Sequence, residues 1–184
     1  FDLQMSGTPH PGVTYIPKVI GTGSSATLHV CASPGMTSLL PPSPYDLQRF
    51  PGFTEWGEVV ERRTVETSAI DELEDIPHVD LLCMDIQGSE MDVLRSARKK
   101  LRRAAAVITE VSFMPLYRGQ WTFANVDDDL RGRGFIPHCF AAAKVWPVAT
   151  KTPIPNLDPH QMLEADMVYI RDVAHPVNVE TLKH

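Results

Sequence analysis

The chain has 184 residues, a net charge of −6, 43% hydrophobic residues and 22% charged residues, which accommodates one soluble domain with a sizeable core and does not require two. The acidic balance, with no concentrated basic face, argues against nucleic acid as the main partner, and no apolar run reaches the roughly 18 residues of a membrane span. Cys31, Cys83 and Cys139 cannot all pair within the chain and match no zinc spacing, so they read as thiols of a reducing, cytoplasmic compartment.

Phe1-Asp2-Leu3-Gln4-Met5 has the texture of a helix interior rather than of a protein's start, which predicts that a natural N-terminal part precedes it. Residues 13–20 (Val-Thr-Tyr-Ile-Pro-Lys-Val-Ile) are rich in β-branched and aromatic types and predict a strand, with Pro17 marking an edge, a bulge or a break. A turn at Gly21-Thr22-Gly23-Ser24-Ser25 leads into the alternating residues 26–32, a second strand. Because a strand and not a helix follows Gly21-Thr22-Gly23, no helix dipole would face a phosphate there, and the nucleotide-loop reading fails.

Residues 33–57 hold many of the 16 prolines, together with Phe50, Phe53 and Trp56, and read as a long loop: either a lid or binding loop, or a connection whose aromatics cover core. Residues 59–65 predict a strand and residues 67–73 a short capped helix.

The most informative stretch follows. An apolar run over residues 79–84 reaches Asp85, turns at Gly88 and becomes a helix whose Val93, Leu94, Ala97 and Leu101 recur at helical spacing. Arg98, Lys99, Lys100, Arg102 and Arg103 cluster at its end, where they read as solvated cations that complement the negative end of the dipole rather than as a phosphate or nucleic-acid patch.

Residues 104–111 predict the next strand, ending with Glu110. Thr122 is placed to cap a helix carrying Phe123, Val126 and Leu130, with Asp127–Asp129 near its positive end and Gly132 and Gly134 as its stop. Residues 135–146 and 167–170 supply further strands, with residues 147–165 as a proline-marked loop between them. The alternation of strands and helices predicts an α/β fold with a parallel sheet.

Ligands of open parallel sheets sit beyond the carboxyl ends of the strands. Asp85 and Glu110 each end an apolar strand, and one helix links the two strands, so both carboxylates are expected to reach one crevice. There a carboxylate takes a proton from a hydroxyl or orients it. Either acid could instead cap the turn that follows. Glu90 fits a role at the helix N-terminus, and Gln87 either faces the crevice or fills the turn. The histidines show no metal-ligand spacing, so no metal is expected; His138, on a late strand, is a weaker candidate base.

Met84-Asp85-Ile86-Gln87-Gly88-Ser89-Glu90, continuing through Val93-Leu94 to Leu101, resembles the hallmark segment of the FkbM-type methyltransferases: an apolar strand, Asp-x-Glu-Gly-x-Glu, then a helix with Val-Leu. Gln87 stands where that family commonly has Glu. Residues 65–73, which contain Ile-Asp-Glu-Leu, the strand Val107-Ile108-Thr109-Glu110-Val111 and Gly134-Phe135 match further family stretches in the same order, over roughly residues 10–140 plus 167–170.

The resemblance implies a class I, Rossmann-like, three-layer sandwich with a mostly parallel seven-stranded sheet and one reversed strand, here incomplete at its N-terminal side. It implies S-adenosylmethionine as cofactor and a hydroxyl of a small molecule, such as a sugar or polyketide, as methyl acceptor. The family's glycine-rich loop and ribose-holding acid have no counterpart in this sequence; if residues 13–20 are the third strand of that sheet, the resemblance implies that a missing N-terminal part holds those elements and that this chain alone binds the cofactor poorly. Carried onto this chain, the resemblance places Ile20 and Gly21 near the adenine, and Met84 and Asp85 near the methionine end. Asp85 and Glu110 become the catalytic candidates, while Gln87, Phe113, Tyr117 and Trp121 become candidates for the acceptor wall together with the 33–57 loop. The expected partner is therefore a small-molecule hydroxyl acceptor, with neither nucleic acid nor membrane, and a homo-oligomer is compatible with the chain. The competing readings are a doubly wound α/β enzyme using Asp85 as phosphoacceptor or metal ligand, and a methyltransferase-like binding or scaffold domain without catalysis.

Overall fold

A computed structural model describes residues 12–149, 159–176 and 178; the helical reading of residues 1–5 and part of the 147–165 loop lie outside them. The described residues build two sheets. The first has three strands, β1 (Val19–Ile20), β2 (Ser25–Cys31) and β3 (Val59–Ser68), in the order β1-β3-β2. The second has four, β4 (Leu81–Met84), β5 (Ala106–Ser112), β6 (Phe135–Pro147) and β7 (His160–Arg171), in the order β4-β5-β7-β6.

The fold is mixed α/β, and the mostly parallel expectation is corrected. β1 pairs β3 and β4 pairs β5 in parallel, whereas β2–β3, β5–β7 and β6–β7 are antiparallel ladders. Long hairpin-like ladders dominate because β6 and β7 are 13 and 12 residues long, far longer than the four-residue β4. In the second sheet, β7 alone runs against its three companions.

Several segment readings change with it. Only Val19–Ile20 of residues 13–20 forms a strand, and that strand belongs to the small sheet; Pro17, which lacks an N–H, sits in the irregular lead-in. Residues 33–57 are not a loop but a chain of short turns and helices: a 3-10 turn at Pro34–Met36, α1 (Pro44–Leu47) and α2 (Phe53–Trp56). Thr67 and Ser68 end β3, and the helix expected there is a 3-10 turn, Ile70–Glu72, without a side-chain cap. Residues 160–165, read as loop, are the first half of β7.

Helices α3 (Glu90–Ser96) and α4 (Phe123–Gly132) complete the chain. The predicted stripe holds: Val93, Leu94, Ala97 and Leu101 are buried in one cluster with Val107, Val111, Met167 and Tyr169 of the sheet and with Val126 and Leu130 of α4. The basic run lies past the end of α3, on a 3-10 turn at Lys100–Arg103, so only Arg95 occupies the helix's last turn. Thr122 and Asn125 form a capping box at the start of α4. Asp127 and Asp129 sit further along and pair with Arg131 and Arg133, one turn on. The chain leaves α4 at Gly134, whose φ of +81° and the Asn178 side chain packed where a Cβ would stand both require glycine.

α3 and α4 pack on the face of the sheet that Leu82 and Met84 share, while Leu81 and Cys83, pointing the other way, are exposed. Among the described residues, the four-stranded sheet thus carries its helices on one face and not on two, which corrects the three-layer expectation. A second cluster joins Cys31, Met36, Leu47, Phe50 and Phe53 to Leu116, Tyr117 and Leu163, so the aromatics of residues 33–57 cover core. Among the described residues, no helix is long and apolar enough to cross a membrane.

Candidate functional site

The parallel ladder of β4 and β5 sets Met84 against Thr109, so the next residues stand level, Asp85 just past the end of β4 and Glu110 inside β5, which runs on to Ser112 and so does not end at Glu110 as expected. Strand alternation puts Asp85 on the exposed side with Leu81 and Cys83. The two carboxylates are thus brought level on paired strands, but their surroundings differ.

Glu110 is 3% exposed. Across the ladders, Ser112 faces Glu164 and Glu164 faces Lys144, a row that runs over Glu110 from β5 through β7 to β6. The Lys144 ammonium lies 2.5 Å from Glu164 Oε1 and 3.4 Å from Glu110 Oε2. One cation thus serves two carboxylates, and Glu164 holds it more closely. Burial first, then the charges of Glu164, Asp85 and Glu90, push the Glu110 carboxyl up to about 8, against the pull of Lys144. Although burial works against its charged form, Lys144 is raised above the usual lysine range by Glu164 and Glu110. The cluster thus favours the neutral form of the Glu110 carboxyl, chiefly through burial and the neighbouring carboxylates.

Asp85 is held differently. Its Oδ1 accepts a 2.7 Å hydrogen bond from Gln87 Nε2, and Gln87 Oε1 in turn accepts one from the Tyr117 hydroxyl at 3.3 Å. The Gln87 carbonyl accepts from Ser38 Oγ at 2.6 Å. These contacts fix Gln87 at a φ of +56°, a left-handed conformation that costs a side-chain-bearing residue about 1 kcal/mol or more. They also account for the departure from Glu at this turn: an amide donates to Asp85 while accepting from Tyr117, whereas a carboxylate would only repel Asp85. Gly88 has a φ of +98°, and a Cβ there would lie 3.1 Å from the Tyr117 ring.

Glu90, buried in the first turn of α3, accepts from the backbone N–H groups of Gly88 at 3.0 Å and Ile86 at 3.2 Å and so closes the turn. Burial raises its carboxyl despite those bonds. At the same turn Ser89 Oγ is buried without a partner among the described residues.

The remaining candidates scatter. Tyr117 is 2% exposed, within the second cluster, and its hydroxyl reaches the Met36 carbonyl at 3.1 Å; burial raises it above the usual range. Phe113 is half-buried and stacks on Phe123 with centroids 5.2 Å apart. Trp121 is partly exposed beneath the Arg95 guanidinium, 4.7 Å away. Gln120 ties the 112–121 segment down by donating to Ser112 Oγ and accepting from the Leu116 and Tyr117 amides. Met84 is buried core. Ile20 and Gly21 end β1 in the other sheet, where the Gly21 N–H donates to the Ser68 carbonyl and Thr67 fills the place of its Cβ. His138 is exposed at a bulge of β6.

Lys144 and Glu164 were not singled out by sequence. Glu164 fell in a stretch read as loop, and only the pairing of β7 between β5 and β6 brings both residues over Glu110. Among the described residues no group of three or more His, Cys, Asp or Glu side chains is arranged to hold a metal ion.

The family model of the methyltransferase FkbM domain matches residues 13–137, well over half of the chain. The chain belongs to that methyltransferase family. No curated protein and no solved structure matches it.

Proposed function

We propose that the protein is an S-adenosylmethionine-dependent O-methyltransferase acting on a hydroxyl of a small molecule such as a sugar or polyketide, with Glu110 as the base. The observation that carries this is the buried Glu110 beside Asp85, under a lysine that it shares with Glu164. Family membership supports methyl transfer; the reversed β7 among co-directional β4, β5 and β6 supports a Rossmann-like, class I arrangement.

The residues suit the cofactor at one end. Asp85 and Glu164, joined by Glu90 and Glu110 when these ionise, outnumber the one lysine and give a negative field that favours a sulfonium cation, and the Ser89 hydroxyl, without a partner among the described residues, adds a polar contact at the same turn. Ile20 offers apolar contact for the adenine, whereas Gly21 is already engaged with Thr67 and Ser68. When bound, the cofactor supplies a methyl group activated by its sulfonium. The chain's own task is alignment and proton removal. Asp85, held by Gln87, orients the acceptor hydroxyl. Glu110, once ionised, takes its proton, and a base whose pKa lies near the working pH is the effective one. Phe113 and Trp121 contribute apolar surface for the acceptor, and Tyr117 holds Gln87 from within the core. On this reading the protein works in the cytoplasm, as a monomer or a homo-oligomer, with its acceptor and cofactor as partners.

A second reading, a non-catalytic binding or scaffold domain, is favoured by the internal use of Gly21. Calorimetric titration with S-adenosylhomocysteine, followed by transfer of labelled methyl to hydroxyl acceptors, separates the two. Binding heat together with transfer that Glu110→Gln suppresses is the expected result. Folded protein with no heat leaves the scaffold.

A further inference from the structure

At the opposite ends of the same strands, arginines from four places in the chain line one cavity. Arg98, Arg102, Arg133 and Arg171 line a cavity of about 500 Å³ with Asp128 and Asp129. Glu110 lies six residues along the chain from Ala104, which edges this region, or roughly 20 Å at the rise of a strand.

Two of the four arginines are used within the protein. Arg171 donates from Nε to the Ala104 carbonyl (2.9 Å), from Nη1 to the Arg133 carbonyl (2.8 Å) and Asn178 Oδ1 (2.8 Å), and from Nη2 to the Leu101 carbonyl (2.5 Å). It also lies 3.9 Å from the centre of the Phe135 ring. The carbonyls it takes belong to the ends of α4 and of the 3-10 turn after α3, the negative ends that would otherwise repel an anion. Arg133 is gripped by both oxygens of Asp129, at 2.6 and 3.1 Å.

Arg98 and Arg102 have no such employment. Both are exposed, and neither side chain has a partner among the described residues. Four cations against two carboxylates leave the cavity a surplus of two positive charges, in a chain whose net charge is −6. The helix-end role of a basic cluster is already filled by Arg171, so it does not explain this pair. Guanidinium groups bind phosphate through paired N–H donors, and a volume of this size is that of a small-molecule site. Asp128, likewise unpaired among the described residues, offers an acceptor for a ligand hydroxyl. We propose that this cavity binds a phosphorylated small molecule, its phosphate held between Arg98 and Arg102, at a site separate from the acidic crevice and independent of the methyltransferase reading.

Calorimetry at constant ionic strength tests this with three probes: a hexose phosphate, adenosine monophosphate and inorganic phosphate. At least one organic phosphate is expected to bind ten-fold or more tightly than inorganic phosphate. The exposed double change Arg98→Ala/Arg102→Ala is expected to weaken it at least ten-fold, while Arg131→Ala, which removes the partner of Asp127 outside the cavity, leaves it unchanged. Equal binding of inorganic and organic phosphate would reduce the site to a non-selective oxyanion contact and overturn the proposal. So would no binding by any of the three, or binding that the double change does not weaken.

Discussion

Asp85 and Glu110 stand level on neighbouring strands, one just past the end of β4 and the other inside β5, but they are built for different work. Asp85 faces the open side of the sheet and is steered by a neutral amide. Glu110 is sealed beneath a lysine that a second glutamate holds more closely. The same level on two paired strands therefore yields an orienting acid in one case and a buried, proton-holding one in the other. The difference comes from what lies across the sheet: among the described residues β4 is an edge strand, whereas β5 has β7 beside it and β6 beyond.

The strongest way to break this contrast is to neutralise each acid in turn. Glu110→Gln is expected to lower methyl transfer by about 10²- to 10⁴-fold, the usual worth of a positioned base, with the melting temperature at pH 8 unchanged or higher. Asp85→Asn should cost about ten-fold less than that, because orientation survives in the amide. Equal losses, measured as turnover of labelled cofactor, would erase the distinction.

Removing the shared cation comes next. Lys144→Met leaves Glu110 and Glu164 facing each other, and with the ammonium half-exposed the expected cost is about 1–2 kcal/mol in denaturant unfolding at pH 8. The loss should shrink at pH 5, where Glu110 is protonated in either protein.

Gln87→Glu is the smaller test, aimed at Asp85. It sets two carboxylates in contact at an exposed site, with an expected loss of about 1 kcal/mol that fades toward about 1 M salt. A loss that ignores salt would point to the left-handed backbone rather than to charge.

The sequence pattern made this contrast half visible. The strand ending in Asp85, the Gly88 turn and the stripe of Val93, Leu94, Ala97 and Leu101 are local features, written in hydrophobic period and turn chemistry, and the fold keeps them. The cap at Thr122 was legible for the same reason, whereas the reciprocal bond from Asn125 that makes it a capping box was not read. What was not legible is long-range. Residues 160–165 carry no strong alternation, so Glu164 read as loop until β7 paired between β5 and β6. Residues 33–57 looked like a proline-rich connection because each helix in them is at most four residues, too short to show a period, and only the burial of Phe50 and Phe53 reveals them as core. Gln87 looked like a loss of charge in isolation. With Asp85 and Tyr117 on either side, it is the residue type that can serve both.

Glu110 is the point on which the account turns, and its titration is directly measurable. Its carboxyl in the folded chain lies at about 8, above the ordinary 4.5, so the native state holds a proton that the unfolded chain releases across that interval. The contribution to stability is complete below pH 4.5 and is lost as pH rises toward about 8. A carboxyl-carbon NMR titration of glutamate-labelled protein, with Glu110→Gln to assign the signal, reads this without reference to any substrate. The account predicts that the Glu110 resonance moves with a midpoint near 8. A midpoint at the ordinary value of 4.5 or below would show a salt-bridged carboxylate instead, and would remove Glu110 from the role of base.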